Sequence, residues 1–253
     1  MTTQRDRTAW LKGGAACCEN PPQKTRVRRR LVLLGAPGVG KGTQAELLSA
    51  ALGACHLSTG DIFRAAKAAD SCELTPALSS ALGYMKCGEL VLDETVLNLV
   101  RERMKCLRCE GGFLLDGFPR TVAQAEALEK LLNKQKIGLD GVLSYELPLQ
   151  EVISRLSGRR TCPDCKAVFH MDARPPKRPG VCDYCGGRLY QREDDRPESI
   201  RVRMEAYEKS TTPLAHFYRQ RELLLPVSGQ GSPEEIFERS LRALEVKANG
   251  CTV

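Results

Sequence analysis

Short apolar runs alternate with stretches of helical period along most of this chain. Residues 31–34, 55–57, 113–116, 142–147 and 223–227 are apolar runs of strand length. Between them, residues 43–52, 60–69, 75–86, 93–107, 121–135, 149–157, 197–221 and 233–247 carry helical spacing. Thr75, Asp93 and Ser232 are expected as N-caps, and Pro197 opens its helix. Such alternation predicts an α/β protein, a parallel sheet covered by helices on both faces. Residues 159–196 break the pattern. They hold few core-type residues and several Pro and Gly, and read as an inserted lobe.

The first strand runs into Gly35-Ala36-Pro37-Gly38-Val39-Gly40-Lys41-Gly42-Thr43, and a helix follows. Glycines let backbone N–H groups curl around an anion, the helix N-terminus adds its dipole, and Lys41 adds a charge. This is a phosphate-binding P-loop. Ser or Thr usually follows the Lys directly; here Gly42 stands there and Thr43 comes one residue later.

The net charge of +7 raises the idea of a nucleic-acid partner, but its distribution argues otherwise. Residues 1–30 hold eight Lys/Arg against Asp6 and Glu19, leaving the remainder at +1. The basicity belongs to an extension, which reads as disordered and lacks the apolar stretch of a secretory signal. A solvated tail is the plain reading, and an organellar import role stays open. No run approaches the ~20 apolar residues of a membrane span.

Four of the twelve cysteines are organised. Cys162-x2-Cys165 and Cys182-x2-Cys185 have the spacing of a closed tetrahedral zinc site, structural rather than catalytic. A metal would hold a lobe too small and polar to hold itself. The alternative is two disulfides or four thiols. Cys106 and Cys109 read as incidental thiols, and the chain as one of a reducing, cytoplasmic compartment.

Phosphoryl transfer needs cations around the migrating group. Arg120 follows the strand at 113–116. Arg155, Arg159 and Arg160 precede the cysteine lobe, and Arg192 and Arg203 follow it. A lobe flanked by arginines reads as a lid that carries charge onto phosphates and excludes water. For Arg155, Arg160 or Arg203 a solvated helix face is the competing reading, and Asp194 and Asp195 could pair with hinge arginines or charge a helix start.

Here the chain resembles the adenylate kinase family. The P-loop is joined by Ser58-Thr59-Gly60-Asp61 with Arg64, and by Gly88-Glu89-Leu90-Val91. Then follow Asp116-Gly117-Phe118-Pro119-Arg120 with Gln124, Gly158-Arg159-Arg160, Arg192-x-Asp194-Asp195 and Arg203. The resemblance spans about residues 31–245, and the cysteine lobe looks like the zinc-bearing lid of many bacterial members. It implies a core of residues 31–57, 88–157 and 196–253, an AMP-binding lobe at 58–87 and a lid at 158–195. Gly38, Val39, Gly40, Lys41, Gly42 and Thr43 would cradle ATP, helped by Arg155, the backbone of Val168 and Phe169, and Gly231. Thr59, Arg64, Glu89, Leu90, Val91, Gly117, Phe118, Pro119, Arg120, Gln124, Arg192 and Arg203 would form the AMP site. Lys41, Arg120, Arg159, Arg192 and Arg203 would surround the transition state, and Asp116 with Asp61 would hold Mg2+ through water. The implied reaction converts ATP and AMP to two ADP in a monomer without nucleic-acid or membrane partners. A kinase for another nucleoside monophosphate is the nearer alternative, and Thr59 and Gln124 favour AMP. A zinc-ribbon nucleic-acid binder is the remoter one.

Overall fold

The computed structural model describes residues 10–11, 28–68, 81–82, 84, 91–165 and 167–248. The strands are β1 (Arg29–Gly35), β2 (Cys55–Ser58), β3 (Gly112–Asp116), β4 (Gly141–Glu146), β5 (Arg159–Thr161), β6 (Val168–His170) and β7 (Leu224–Ser228). The helices are α1 (Lys41–Leu52), α2 (Thr59–Ala68), α3 (Asp93–Glu102), α4 (Val122–Lys134), α5 (Leu149–Ser157), α6 (Pro197–Ala206), α7 (Pro213–Arg219) and α8 (Pro233–Ala248). Five strands form one parallel sheet in the order β2-β3-β1-β4-β7.

Strand alternation assigns each side chain to a face. Val32, Leu34, Leu115 and Val142 pack with α3, α4 and α7, whereas Leu31, Leu33, Leu114 and Leu143 pack with α1 and α8. Both faces are covered, which is why β1 is apolar at every position from 31 to 34. The sheet therefore forms the middle of three layers, as the alternation of elements predicts.

Several boundaries move for physical reasons. The expected helix at 197–221 is broken: a π-turn, Tyr207–Thr211, separates α6 from α7. Pro213 has no N–H for the preceding turn, so the ladder widens there and the Thr212 N–H reaches back to the Tyr207 carbonyl at 2.9 Å. The helix expected at 93–107 ends at Glu102 and continues as a 3₁₀ turn, Met104–Arg108. Asp93 is not an N-cap; Leu92 holds that position. Ser232 does cap α8: its Oγ accepts the Glu235 N–H at 3.2 Å, and Glu235 accepts the Ser232 N–H at 2.8 Å. The helix expected at 75–86 and its cap Thr75 lie largely outside the described residues.

Two further contacts depart from expectation. Within the extension read as disordered, Trp10 is 1% exposed and packs with Leu57, Phe63, Val100 and Leu107. Its indole Nε1 donates to the Ser58 carbonyl at 2.9 Å, and buried Arg103 donates to the Trp10 carbonyl at 2.6 Å. Cys109, read as incidental, forms a disulfide with Cys55, so the entry to β2 is bonded to the turn before β3. Cys106 lies buried in the core and takes no part in that bond.

The lobe between α5 and α6 has its own antiparallel pair, β5 with β6, and its own small core of Cys162, Phe169, Cys182 and Leu189. Phe169 is buried there; Tyr184, though exposed, keeps its ring 6.0 Å from that of Phe169, and Tyr190 is exposed.

Candidate active site

The site forms where the carboxyl ends of the parallel strands meet the loops that follow them, at the place where open α/β sheets take ligands. Gly38 has φ +83°, and a Cβ there would sit 2.6 Å from Leu156 Cγ. Gly40, at the N-cap of α1, has φ +102°. The loop after β1 can take this course only with glycine at both positions. Lys41 folds back over it, its Nζ donating to the carbonyls of Gly35 at 2.7 Å and Ala36 at 2.9 Å. Burial lowers the Lys41 pKa to about 7; Asp116 opposes that shift, while Arg120, Arg203 and Arg159 add to it. The cations expected around a migrating phosphoryl group are thus close enough to act on one ammonium.

Asp116 closes β3. Burial would raise its pKa, but hydrogen bonding to His56, 3.4 Å away, and the charge of Lys41 outweigh that and hold it below the usual carboxylate range. Asp61, on the first turn of α2, forms an ion pair with Arg64. That partner outweighs desolvation and raises the Arg64 pKa, with Asp116 and Asp194 contributing. Thr59 Oγ1 lies 3.4 Å from the Asp116 carbonyl.

Arg159 and Arg203 share one fully buried carboxylate. Arg159 Nε donates to Asp195 at 2.7 Å, and Arg203 Nη1 lies 3.2 Å from Asp195 and 3.0 Å from Asp194. Of the two readings of the Asp194-Asp195 pair, the hinge-arginine one holds. Arg192 donates to Thr161 Oγ1 at 2.9 Å, and burial, reinforced by Arg159, lowers its pKa to about 9. Arg120 donates to the Gly117 carbonyl at 2.8 Å, next to the cis Phe118–Pro119 bond. Arg155 bridges the loop after β1 and the loop after β7, donating to the Val39 carbonyl at 3.3 Å and the Gly229 carbonyl at 3.0 Å. Gly231 lies in that second loop. Arg160, half-buried and on β5 rather than on a helix face, donates to the Ser157 and Arg159 carbonyls.

Phe118 and Val91 are buried in the main core and Phe169 in that of the cysteine lobe, so each has only its backbone to offer a ligand. Gln124 is 2% exposed and hydrogen-bonded through both amide atoms, to Asp93 and to the Arg120 N–H. Glu89 and Leu90 lie outside the described residues.

The sulfurs of Cys162, Cys165, Cys182 and Cys185 lie within 4.8 Å of one another, with Cys162 to Cys185 at 3.4 Å and Cys165 to Cys182 at 3.5 Å. Zn–S bonds of about 2.3 Å in a tetrahedron set sulfurs about 3.8 Å apart, so the four thiols fit that ion. Neither Cys-x2-Cys pair forms a disulfide.

A P-loop on a five-stranded parallel sheet, with a carboxylate at the end of the neighbouring strand and arginines on an inserted lobe, defines a nucleotide-dependent phosphotransferase. The family model for adenylate kinase matches residues 33–223. Adenylate kinase from Carboxydothermus hydrogenoformans is 49% identical over 216 residues, 85% of this chain and 99% of that protein. Those of Caldicellulosiruptor saccharolyticus and Streptomyces coelicolor are 48% and 46% identical, over 86% and 85% of this chain and 100% and 98% of their own. The chain belongs to the adenylate kinase family.

Asp93, Trp10 and the Cys55 partner of Cys109 were not assigned these contacts from the sequence. Each meets a group 28 to 93 residues away. No local pattern signals such a contact.

Proposed function

We infer that this chain catalyses reversible, magnesium-dependent phosphoryl transfer from ATP to AMP, giving two ADP by direct in-line displacement. The observation that carries this reading is the geometry: Lys41 Nζ folded over the P-loop at the Gly35 and Ala36 carbonyls, and Arg159 and Arg203 converging on the buried Asp195 carboxylate. Residues Gly38 to Thr43, Arg155, the backbone of Val168 and Phe169, and Gly231 hold ATP. Thr59, Arg64, Glu89, Leu90, Val91, Gly117, Phe118, Pro119, Arg120 and Gln124 form the AMP site, with Arg192 and Arg203 reaching its phosphate. Lys41, Arg120, Arg159, Arg192 and Arg203 spread positive charge over the equatorial oxygens of the migrating group.

Asp116 and Asp61 fit the task of orienting water on Mg2+, since Asp116 is held ionised. That ion, when bound, neutralises charge between the β- and γ-phosphates. No general base is needed, because the acceptor is itself a phosphate. The four cysteines hold zinc as a structural ion, and residues 158–195 close as a lid over the nucleotide while 58–87 close over AMP. A self-contained two-substrate site suits a monomer. Among the described residues, no helix is long and apolar enough to cross a membrane; the Cys55–Cys109 disulfide departs from the reducing compartment expected from the sequence.

A coupled assay comparing AMP, CMP, UMP and GMP as acceptors tests the reading. AMP should lead by orders of magnitude in kcat/KM; equal or better turnover of another monophosphate would replace it with the nearer alternative.

A further inference from the structure

Gln124 is gripped at both ends by groups of opposite hydrogen-bonding character. Asp93, on the first turn of α3, accepts the Gln124 Nε2 proton on Oδ1 at 2.7 Å and the Thr121 Oγ1 proton on Oδ2 at 2.9 Å. On the other side, the Arg120 backbone N–H donates to Gln124 Oε1 at 2.7 Å. A glutamine amide is nearly symmetric in shape and can present its oxygen and nitrogen either way round. Here it has only one fit. A carboxylate can only accept and a peptide N–H can only donate. Turning the amide over would set oxygen against carboxylate and NH2 against N–H, in a side chain that is 2% exposed. Both bonds would be lost without water to replace them. Each end still keeps one valence, an N–H on Nε2 and a lone pair on Oε1.

We propose that Asp93 is a positioning residue that fixes the polarity of the Gln124 amide, so that the acceptor site takes a base edge with an amino donor beside a ring-nitrogen acceptor and rejects the inverted, oxo edge. This rests on the reading of Gln124 as the contact to the acceptor base. Adenine offers an amino N–H to Oε1 and ring N1 to the Nε2 proton. Hypoxanthine and guanine present the reverse, a carbonyl oxygen beside a ring N–H. A freely turning glutamine would serve either edge; one locked by Asp93 serves only the first. Cytosine shares the polarity of adenine, so the lock does not exclude it, and pyrimidines must be sorted by size.

AMP and IMP isolate the effect, because they differ only at that edge. Steady-state kcat/KM and calorimetric Kd are measured for both acceptors on the full-length enzyme, Asp93→Asn, Thr121→Ala and Gln124→Ala. The unmodified enzyme should prefer AMP over IMP by 100-fold or more on the scale of buried hydrogen-bond discrimination. Asn at position 93 can face Gln124 with either oxygen or NH2, which removes one of the two groups that fix the amide and leaves only the Arg120 N–H to oppose its turning. The IMP-to-AMP ratio should then rise about tenfold, through KM and Kd rather than kcat. Thr121→Ala removes the other bond of Asp93 together with the N-cap that Thr121 Oγ1 offers the Gln124 backbone N–H at 3.1 Å; it leaves both partners of the Gln124 amide in place and should lower stability without inverting the preference. A folded Asp93→Asn enzyme with an unchanged ratio overturns the proposal. So does an unmodified enzyme that uses IMP as well as AMP, a result that needs no variant. If Gln124→Ala leaves the KM for AMP unchanged, the reading of Gln124 itself falls; if that KM rises while Asp93→Asn leaves the ratio alone, only the lock falls.

Discussion

Lys41 offers the sharpest test at the scale of one residue. The protein's own groups set its pKa at about 7, well below the ordinary lysine value. A bound phosphate favours the ammonium and pulls the pKa back up. Between the two values the unliganded side chain is largely neutral and the liganded one charged, so ATP binding at pH 8 should take up close to one proton. Below pH 7 Lys41 is already protonated, and the uptake should fade. Calorimetry in buffers of different ionisation enthalpy reads this directly; uptake that persists in Lys41→Met would assign the proton elsewhere. The same substitution should lower kcat by about 100- to 1,000-fold in a coupled ADP assay while the far-UV spectrum stays unchanged, since in the proposed mechanism it removes a charge that acts on the transferred group.

Elements fail separately when their own ties are cut. Ser232→Ala removes one half of a reciprocal cap on α8 and should cost about 1 kcal/mol in urea denaturation, with little effect on turnover. Cys182→Ser, or removal of metal by a chelator, should loosen the cysteine lobe while the sheet persists. Faster tryptic cleavage at Lys177 or Arg188, with a nearly unchanged thermal midpoint for the rest, is the expected pattern; concerted loss of both would contradict a separately held lobe. The strands and the P-loop were readable from the sequence because their signals are local: apolar runs of strand length, glycines at fixed spacing, and Lys41 at a helix start. The Cys-x2-Cys pairs were readable for the same reason. Pro213 marks the break in the helix expected at 197–221, but a proline can also open a helix, and its effect depends on how the preceding turn is packed. Asp93 looks like a cap in sequence because it precedes an apolar helix; only the fold shows its carboxylate turned to Thr121 and Gln124. Cys109 could not be paired from spacing, since its partner lies 54 residues away on another strand.

At the scale of the whole molecule, the five parallel strands set the site and the segments on either side complete it. Arg159 opens β5 in the cysteine lobe and Arg203 lies on α6 beyond it, yet both meet the buried Asp195 carboxylate. Removing that carboxylate should therefore loosen both arginines together. The segment ahead of β1 also reaches the core, through Trp10. Trp10→Ala should destabilise the protein by about 3–5 kcal/mol, the cost of emptying a buried aromatic site, and guanidinium titration checks it. An unchanged midpoint would mean that the indole contributes nothing to the folded state. The chain contains one tryptophan, and its ring nitrogen is tied to the Ser58 carbonyl, immediately before α2. Its emission therefore comes from a single, water-shielded chromophore at the start of the lobe proposed to close over AMP. Without any added dye, a shift in wavelength or quenching on mixing with AMP would clock the swing of that lobe in a stopped-flow instrument, independently of turnover.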